Sequence, residues 1–292
     1  MDFVPDHLRR EDQQTQYPIE LSGESSRLPR HDLVPVVAIP DLHSCNPKAL
    51  AVDLKRYRVT DRAGRLSPHF NGVACALGDY VDRGAFGVRP FRLLKRLQSQ
   101  DPDRVKLLFG NHDLFHLAGC PEELRCKPYP GLSREYRDDI LAGRVQMAWA
   151  ERDVLYSHAG ICLRSFPRFV GESPTAIADA LNVELRVLAS KIDLTQPRLN
   201  LDLIDSNPLF GSRGPLWARH DVSNQAFRQV VGHTPQFEGI KDDPQLRVKY
   251  VDAARVFLED SLDPIERERG RTFGRNTVLH QSEPPEPLRK KR

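Results

Sequence analysis

Gly78-Asp79-Tyr80-Val81-Asp82-Arg83-Gly84 follows the apolar run Val73-Ala-Cys-Ala-Leu77 without a break. The run reads as a short buried strand, so the acidic residues fall at its carboxyl end. In open α/β sheets, ligands collect just beyond those ends. Asp79 is placed to bridge two cations, because one carboxylate has two oxygens. Asp82 is free to orient another side chain, and Arg83 offers a planar fork to a phosphate. The two glycines permit sharp turns close to bound ions. The plainer reading of the heptad is a tight, salt-bridged turn.

Four more strand ends repeat the arrangement. Upstream, Leu33-Val-Pro-Val-Val-Ala-Ile39 leads into Asp41-Leu42-His43. In an extended segment, residues two apart point to one side, so Asp41 and His43 can grip one cation. Downstream, Val105-Lys-Leu-Leu-Phe109 leads into Gly110-Asn111-His112-Asp113. The Asn111 amide oxygen suits a hard cation, and His112 suits a general acid. By itself this stretch also reads as a turn followed by a helix cap. Asp153-Val-Leu-Tyr156 leads into Ser157-His158-Ala159-Gly160, and Gln229-Val-Val231 leads into Gly232-His233-Thr234-Pro235. Each adds an imidazole, a donor suited to zinc, iron or manganese. One histidine after one strand is commonly structural. Five such ends in order supply the donors a dinuclear site requires.

Helices are expected between the strands. Asn46 caps one over 47–57 with Pro47 in its first turn, apolar spacing marks another over 87–99, and Ser173 caps a third reaching about Ile192. Strands alternating with helices give an α/β class.

The composition is that of an ordinary folded chain: 292 residues, 39% hydrophobic and 28% charged, with a net charge of +3. That small excess does not mark a nucleic-acid binder. The opening MDFVPDHLRREDQQTQYP holds no apolar run, so no signal peptide is expected, and no segment is apolar enough to span a membrane. The five cysteines form no CxxC pair, which fits a reduced, cytoplasmic protein. Residues 1–31 read as a polar lead-in, 32–262 as one catalytic domain, and 263–292 as a Pro-rich then basic tail.

The ordered set D-x-H, GDYVDRG, GNHD, SHAG and GHTP resembles the calcineurin-like metallophosphoesterase superfamily, in its phosphoprotein phosphatase branch. Gly214-Pro-Leu-Trp-Ala-Arg219 and Val230-Val-Gly-His-Thr-Pro-Gln236 look most like the bacterial Shewanella-like phosphatases of that branch. The resemblance implies two mixed β-sheets packed as a sandwich and flanked by helices. It implies two divalent metal ions, with manganese expected and iron or zinc also compatible. Asp41, His43 and Asp79 would hold one ion, and Asp79, Asn111, His158 and His233 the other. Attack by a metal-bridging hydroxide would follow, with His112, oriented by Asp82, protonating the leaving oxygen. Arg83 and Arg219 would hold the phosphate, with Arg213 an alternative to Arg219. The substrate implied is a phosphoprotein carrying phosphoserine, phosphothreonine or phosphotyrosine. Gly110-Asn-His-Asp-Leu-Phe-His-Leu-Ala118 also resembles the dinucleoside tetraphosphatases, which is the alternative activity.

Departures from the family pattern are visible too. Pro40 and Ser44 stand where the family has glycines, and Asp113 replaces a common glutamate. The C-terminal segment of eukaryotic members is missing, with Tyr250-Val251-Asp252 standing near its strand, so eukaryotic-type regulatory subunits are not expected.

Overall fold

Val36–Ile39 forms β1, the first of four parallel strands in one sheet of a computed structural model that describes residues 34–218, 227–234, 241–243, 247–251 and 257–258. The lead-in 1–31, the tail 263–292, Asp252 and Arg219 lie outside the described residues. The chain continues through α1 (Pro47–Arg56), β2 (Val73–Ala76), α2 (Arg89–Gln98), β3 (Val105–Leu108) and α3 (Asn111–Ala118). Then come α4 (Leu132–Leu141), β4 (Val145–Gln146), β5 (Ala148–Glu151), β6 (Val154–Ser157), α5 (Pro174–Lys191) and α6 (Pro197–Asp205). The remaining strands are β7 (Arg228–Val231), β8 (Lys241–Asp243), β9 (Val248–Tyr250) and β10 (Phe257–Leu258).

The strands form two five-stranded sheets, ordered β10-β1-β2-β3-β4 and β5-β6-β7-β9-β8. Both are mixed: β10 runs antiparallel beside β1, and β5 and β8 run antiparallel beside β6 and β9. Alternate residues of a strand face opposite ways, and this builds the layers. Val36 and Ala38 of β1, Cys75 of β2 and Leu108 of β3 are buried in one cluster with Val154, Tyr156 and Val230 from the other sheet. Val37, Ile39, Ala74, Ala76 and Leu107 turn the other way, into a core with Leu50 and Leu54 of α1 and Phe91, Leu94 and Leu97 of α2. The architecture is therefore the sandwich with flanking helices that the resemblance implies.

Local signals set the helices as expected. Asn46 accepts a hydrogen bond from the Lys48 amide at 2.9 Å, and Pro47 opens α1. Ser173 accepts from the Ala176 amide at 3.2 Å, and α5 runs to Lys191.

The register brings the polar strand ends level. Ile39 pairs with Ala76, Ala76 with Leu107, and Ser157 with Val231. Parallel neighbours that pair in register release their chains from one edge of the sheet. Asp41, Asp79 and Asn111 leave the first sheet there, and His158 and His233 leave the second.

Candidate active site

Asp79 stands at the centre of the cluster, with its side chain 2% exposed. Its Oδ2 lies 3.7 Å from Nε2 of His43, and its Oδ1 lies 3.6 Å from Nε2 of His158. The two oxygens of one carboxylate thus face two different imidazoles, the arrangement a bridging group needs. Gly110 makes room for it: a Cβ there would sit 2.2 Å from Asp79 Oδ1. Gly232 does the same for Asp41, where a Cβ would lie 2.4 Å from Oδ1. Burial alone would raise the Asp79 pKa. The surrounding histidines, His158 first and then His112, His43 and His233, outweigh it and hold the carboxyl well below its usual range.

The imidazoles present lone pairs inward. Nδ1 of His158 lies 2.8 Å from the Leu77 carbonyl oxygen and donates to it. Its Nε2 is then an acceptor, and it faces Oδ1 of Asn111 at 2.8 Å and Nδ1 of His233 at 3.2 Å. His43 repeats the pattern, with Nδ1 at 3.3 Å from the Val81 carbonyl and Nε2 turned toward the carboxylates of Asp41 and Asp79. A backbone carbonyl that takes one ring N–H fixes the tautomer and leaves the other nitrogen to ligate. Burial, against the pull of Asp79, lowers the His43 pKa to about 4, so its ring is neutral at neutral pH. Donor atoms of Asp41, Asp79, His158 and His233 all lie within 4.8 Å of one another. Converging lone pairs with buried carboxylates fit divalent cations: a positive charge satisfies acceptors that cannot satisfy each other.

The backbone holds these residues in an uncommon shape. His43, Asp79, Asp82, Arg83 and His233 all have φ between 41° and 71°. Such left-handed conformations cost roughly 1–2 kcal/mol for a residue with a Cβ, and they persist where surrounding contacts enforce them. Ser44, at φ 53°, shares the conformation, so a residue with a Cβ occupies the family's glycine position in a glycine-favouring shape.

His112 sits beside the donor cluster, its ring 4.9 Å from that of His43 and nearly perpendicular to it. Its backbone amide donates to Asp79 Oδ1 at 2.9 Å, and its Nδ1 donates to Asp82 Oδ2 at 2.9 Å. Burial works to lower the His112 pKa, but the Asp79 charge and the Asp82 hydrogen bond outweigh it and push it up to about 10. Nη2 of Arg83 lies 3.2 Å from His112 Nε2. In the protonated ring both are donors, and an anionic oxygen between them would satisfy both.

The residues expected from sequence therefore gather, with Arg219 outside the described residues. The segment leading to it packs on the cluster: the Trp217 ring lies 6.0 Å from His233, and the Pro215 carbonyl accepts from the Ala159 amide at 2.9 Å. Arg213 is exposed. Two residues of the site, His116 and Cys126, escaped the sequence reading. His116 donates from Nε2 to the second oxygen of Asp82 at 2.9 Å, and Cys126 Sγ lies 3.8 Å from His112 Nδ1. Asp113 caps α3 by accepting from the Gly110 amide at 2.9 Å, and it also accepts from the Asp79 amide at 2.9 Å and from the Tyr136 hydroxyl. The one available signal was His116, one helical turn after His112 on the same face.

Strand-end carboxylates and histidines in a two-sheet sandwich define a metal-dependent phosphoesterase. The chain belongs to the calcineurin-like phosphoesterase family, whose model matches residues 34–257. Among solved structures it is similar to the cold-active protein-tyrosine phosphatase of a psychrophilic Shewanella species, at 24% identity and a TM-score of 0.55, covering 76% of this chain and 72% of that one. A second structure, of a cold-active protein tyrosine phosphatase, matches at 24% identity and a TM-score of 0.58, covering 76% of this chain and 70% of that one. These likenesses show the fold. Among the described residues, no helix is long and apolar enough to cross a membrane.

Proposed function

We propose that the chain is a protein phosphatase that removes phosphate from a phosphorylated side chain. Asp41, His43, Asp79, Asn111, His158 and His233 would hold two divalent metal ions, with Asp79 shared between them. When bound, such ions lower the pKa of water and neutralise phosphate charge. The observation that carries the proposal is the contiguity of two groups: the buried Asp79 donor cluster and the Asp82–His112–Arg83 trio, joined through His112.

The trio's chemistry follows from its hydrogen bonds. Asp82 holds Nδ1 of His112 and leaves Nε2 as the proton-bearing atom that faces a substrate. Arg83, exposed at the rim, offers its fork to the phosphate oxygens. An anion that binds between Arg83 and His112 accepts from both. The proton on Nε2 then lies beside the ester oxygen that departs, where a general acid is needed. Burial of Asp79 and His112 keeps bulk water from screening these charges.

The metals fit manganese, iron or zinc alike, since the donors mix nitrogen and oxygen; manganese is our choice. A phosphotyrosine substrate is favoured by the likeness to the Shewanella protein-tyrosine phosphatase. The test is a panel of phosphoserine, phosphothreonine and phosphotyrosine peptides beside diadenosine tetraphosphate, with bound metals measured on the same sample. Turnover of phosphopeptides with manganese present supports the proposal. Preference for the dinucleotide would replace it with a dinucleoside tetraphosphatase.

A further inference from the structure

Cys126 lies in the segment that follows the short 3-10 turn Pro121–Leu124, and it is half-buried. Its Sγ stands 3.8 Å from His112 Nδ1, and that nitrogen stands 2.9 Å from Asp82 Oδ2. One donor atom from each of the three lies within 4.8 Å of the others. None of the three belongs to the six residues assigned to the two catalytic metals. Sulfur also sets them apart, since the six offer only oxygen and nitrogen.

We infer that Asp82, His112 and Cys126 form an inhibitory site for a thiophilic divalent cation such as zinc. Zinc–ligand distances of about 2.0 Å to nitrogen or oxygen and 2.3 Å to sulfur place tetrahedral donors about 3.3 Å apart for N and O and about 3.5 Å apart for N and S. The Nδ1–Oδ2 and Sγ–Nδ1 separations, 2.9 Å and 3.8 Å, lie within a few tenths of an ångström of these values, and the sulfur and the carboxylate oxygen lie within 4.8 Å of each other. Thiolate, imidazole and carboxylate select zinc or cobalt over magnesium or manganese. Binding displaces the thiol proton of Cys126 and the Nδ1 proton of His112 to solvent, and the cation takes their places. Three protein donors leave a fourth position to water, which the half-buried edge supplies. His116 holds the other oxygen of Asp82 at 2.9 Å and so fixes the carboxylate for either partner. A cation seated here breaks the Asp82–His112 hydrogen bond. It thereby withdraws His112 from the role given to it above, and the inhibitory part of the inference rests on that reading.

The experiment titrates cobalt(II) into the manganese-loaded full chain and records the near-ultraviolet thiolate-to-cobalt absorption. Zinc inhibition of phosphatase turnover is measured in parallel. The wild type should show the thiolate band, and zinc beyond the dinuclear stoichiometry should cut turnover at least tenfold. Cys126→Ser and Cys126→Ala should lose the band and resist zinc at the same concentration, each measured against that variant's own untreated turnover. Two substitutions guard against a folding artefact, and thermal melts of both confirm folding. Absence of the band in the wild type, or its survival in both variants, overturns the site. A Cys126-dependent band with unchanged turnover keeps the site and overturns the part assigned to His112.

Discussion

Asp82 donates nothing and accepts from two imidazoles at once, and its contact with His112 decides what His112 can do. Oδ2 takes the Nδ1 proton of His112 at 2.9 Å, while Oδ1 takes the Nε2 proton of His116 at 2.9 Å. Burial would raise the Asp82 pKa, but the two histidine hydrogen bonds outweigh it and hold the carboxyl well below its usual range. It stays ionised, and the ring of His112 is held with Nε2 toward Arg83.

His112→Asn should therefore cut turnover of substrates with poor leaving groups by ~10²–10⁴-fold, the range typical of a general acid. Metal content should not change. Steady-state kinetics on a phosphoserine peptide, with metal analysis, checks this; full activity in the variant would remove the general-acid role.

Asp79→Asn should lose metal and activity together. One neutral amide cannot offer anionic oxygens both to the side facing His43 and to the side facing His158. Manganese should raise the melting temperature of the wild type, because it binds only the folded state, and should leave the variant unmoved. Two ions still bound to the variant would refute the bridging role.

His116→Ala should lower kcat by about tenfold, at the low end for residues that orient a functional group from behind. KM should hold, because His116 is buried beneath Asp82 rather than beside the substrate. His116→Gln, which keeps a donor, should recover part of the loss. An unchanged kcat in the alanine variant would show that Asp82 needs only one partner.

Ser44→Gly should stabilise the fold by about 1 kcal/mol. Ser44 has φ 53°, where glycine avoids a strain of roughly 1–2 kcal/mol. Its Oγ is buried with no hydrogen-bond partner among the described residues, and relief of that burial adds to the gain. The greater freedom of glycine in the unfolded chain offsets about 0.4–1 kcal/mol. Chemical denaturation of the two proteins compares them directly, and a less stable variant contradicts the account.

Asp113→Ala should cost about 3–5 kcal/mol, since it orphans the buried amides of Asp79, Tyr80 and Gly110 and the Tyr136 hydroxyl. A fall in Tm of about 10 °C is expected for a chain of this size. A loss under 1 kcal/mol would show that the Asp79 turn holds without its tie to α3.

The strands were readable because each is a short apolar run that stops at a carboxylate, amide or imidazole. Val36–Ile39, Val73–Ala76, Val105–Leu108, Val154–Ser157 and Arg228–Val231 all fall where the apolar runs stand. β4 and β10 have two residues each and β8 has three, too few to show a period. α3 showed in the sequence only as the helix-cap alternative at Gly110–Asp113, for a different reason. Its first turn carries Asn111, His112 and Asp113, which are site residues rather than an apolar stripe, and it is capped by Gly110 through Asp113.

The chemistry of the donors was thus a local property: residue type at a strand end names a candidate ligand and the class of reaction. Which atoms meet was not local. Asp79 and Asp113 are 34 residues apart, and His158 and His233 are 75 apart. His116 and Cys126 reach Asp82 and His112 only because α3 and the loop after it fold back over the Asp79 turn. Strand register and the packing of one sheet on the other set those distances. A linear pattern states the side chains present at each strand end, whereas the hydrogen bonds that fix their tautomers and partners form only when both sheets deliver those ends to one place.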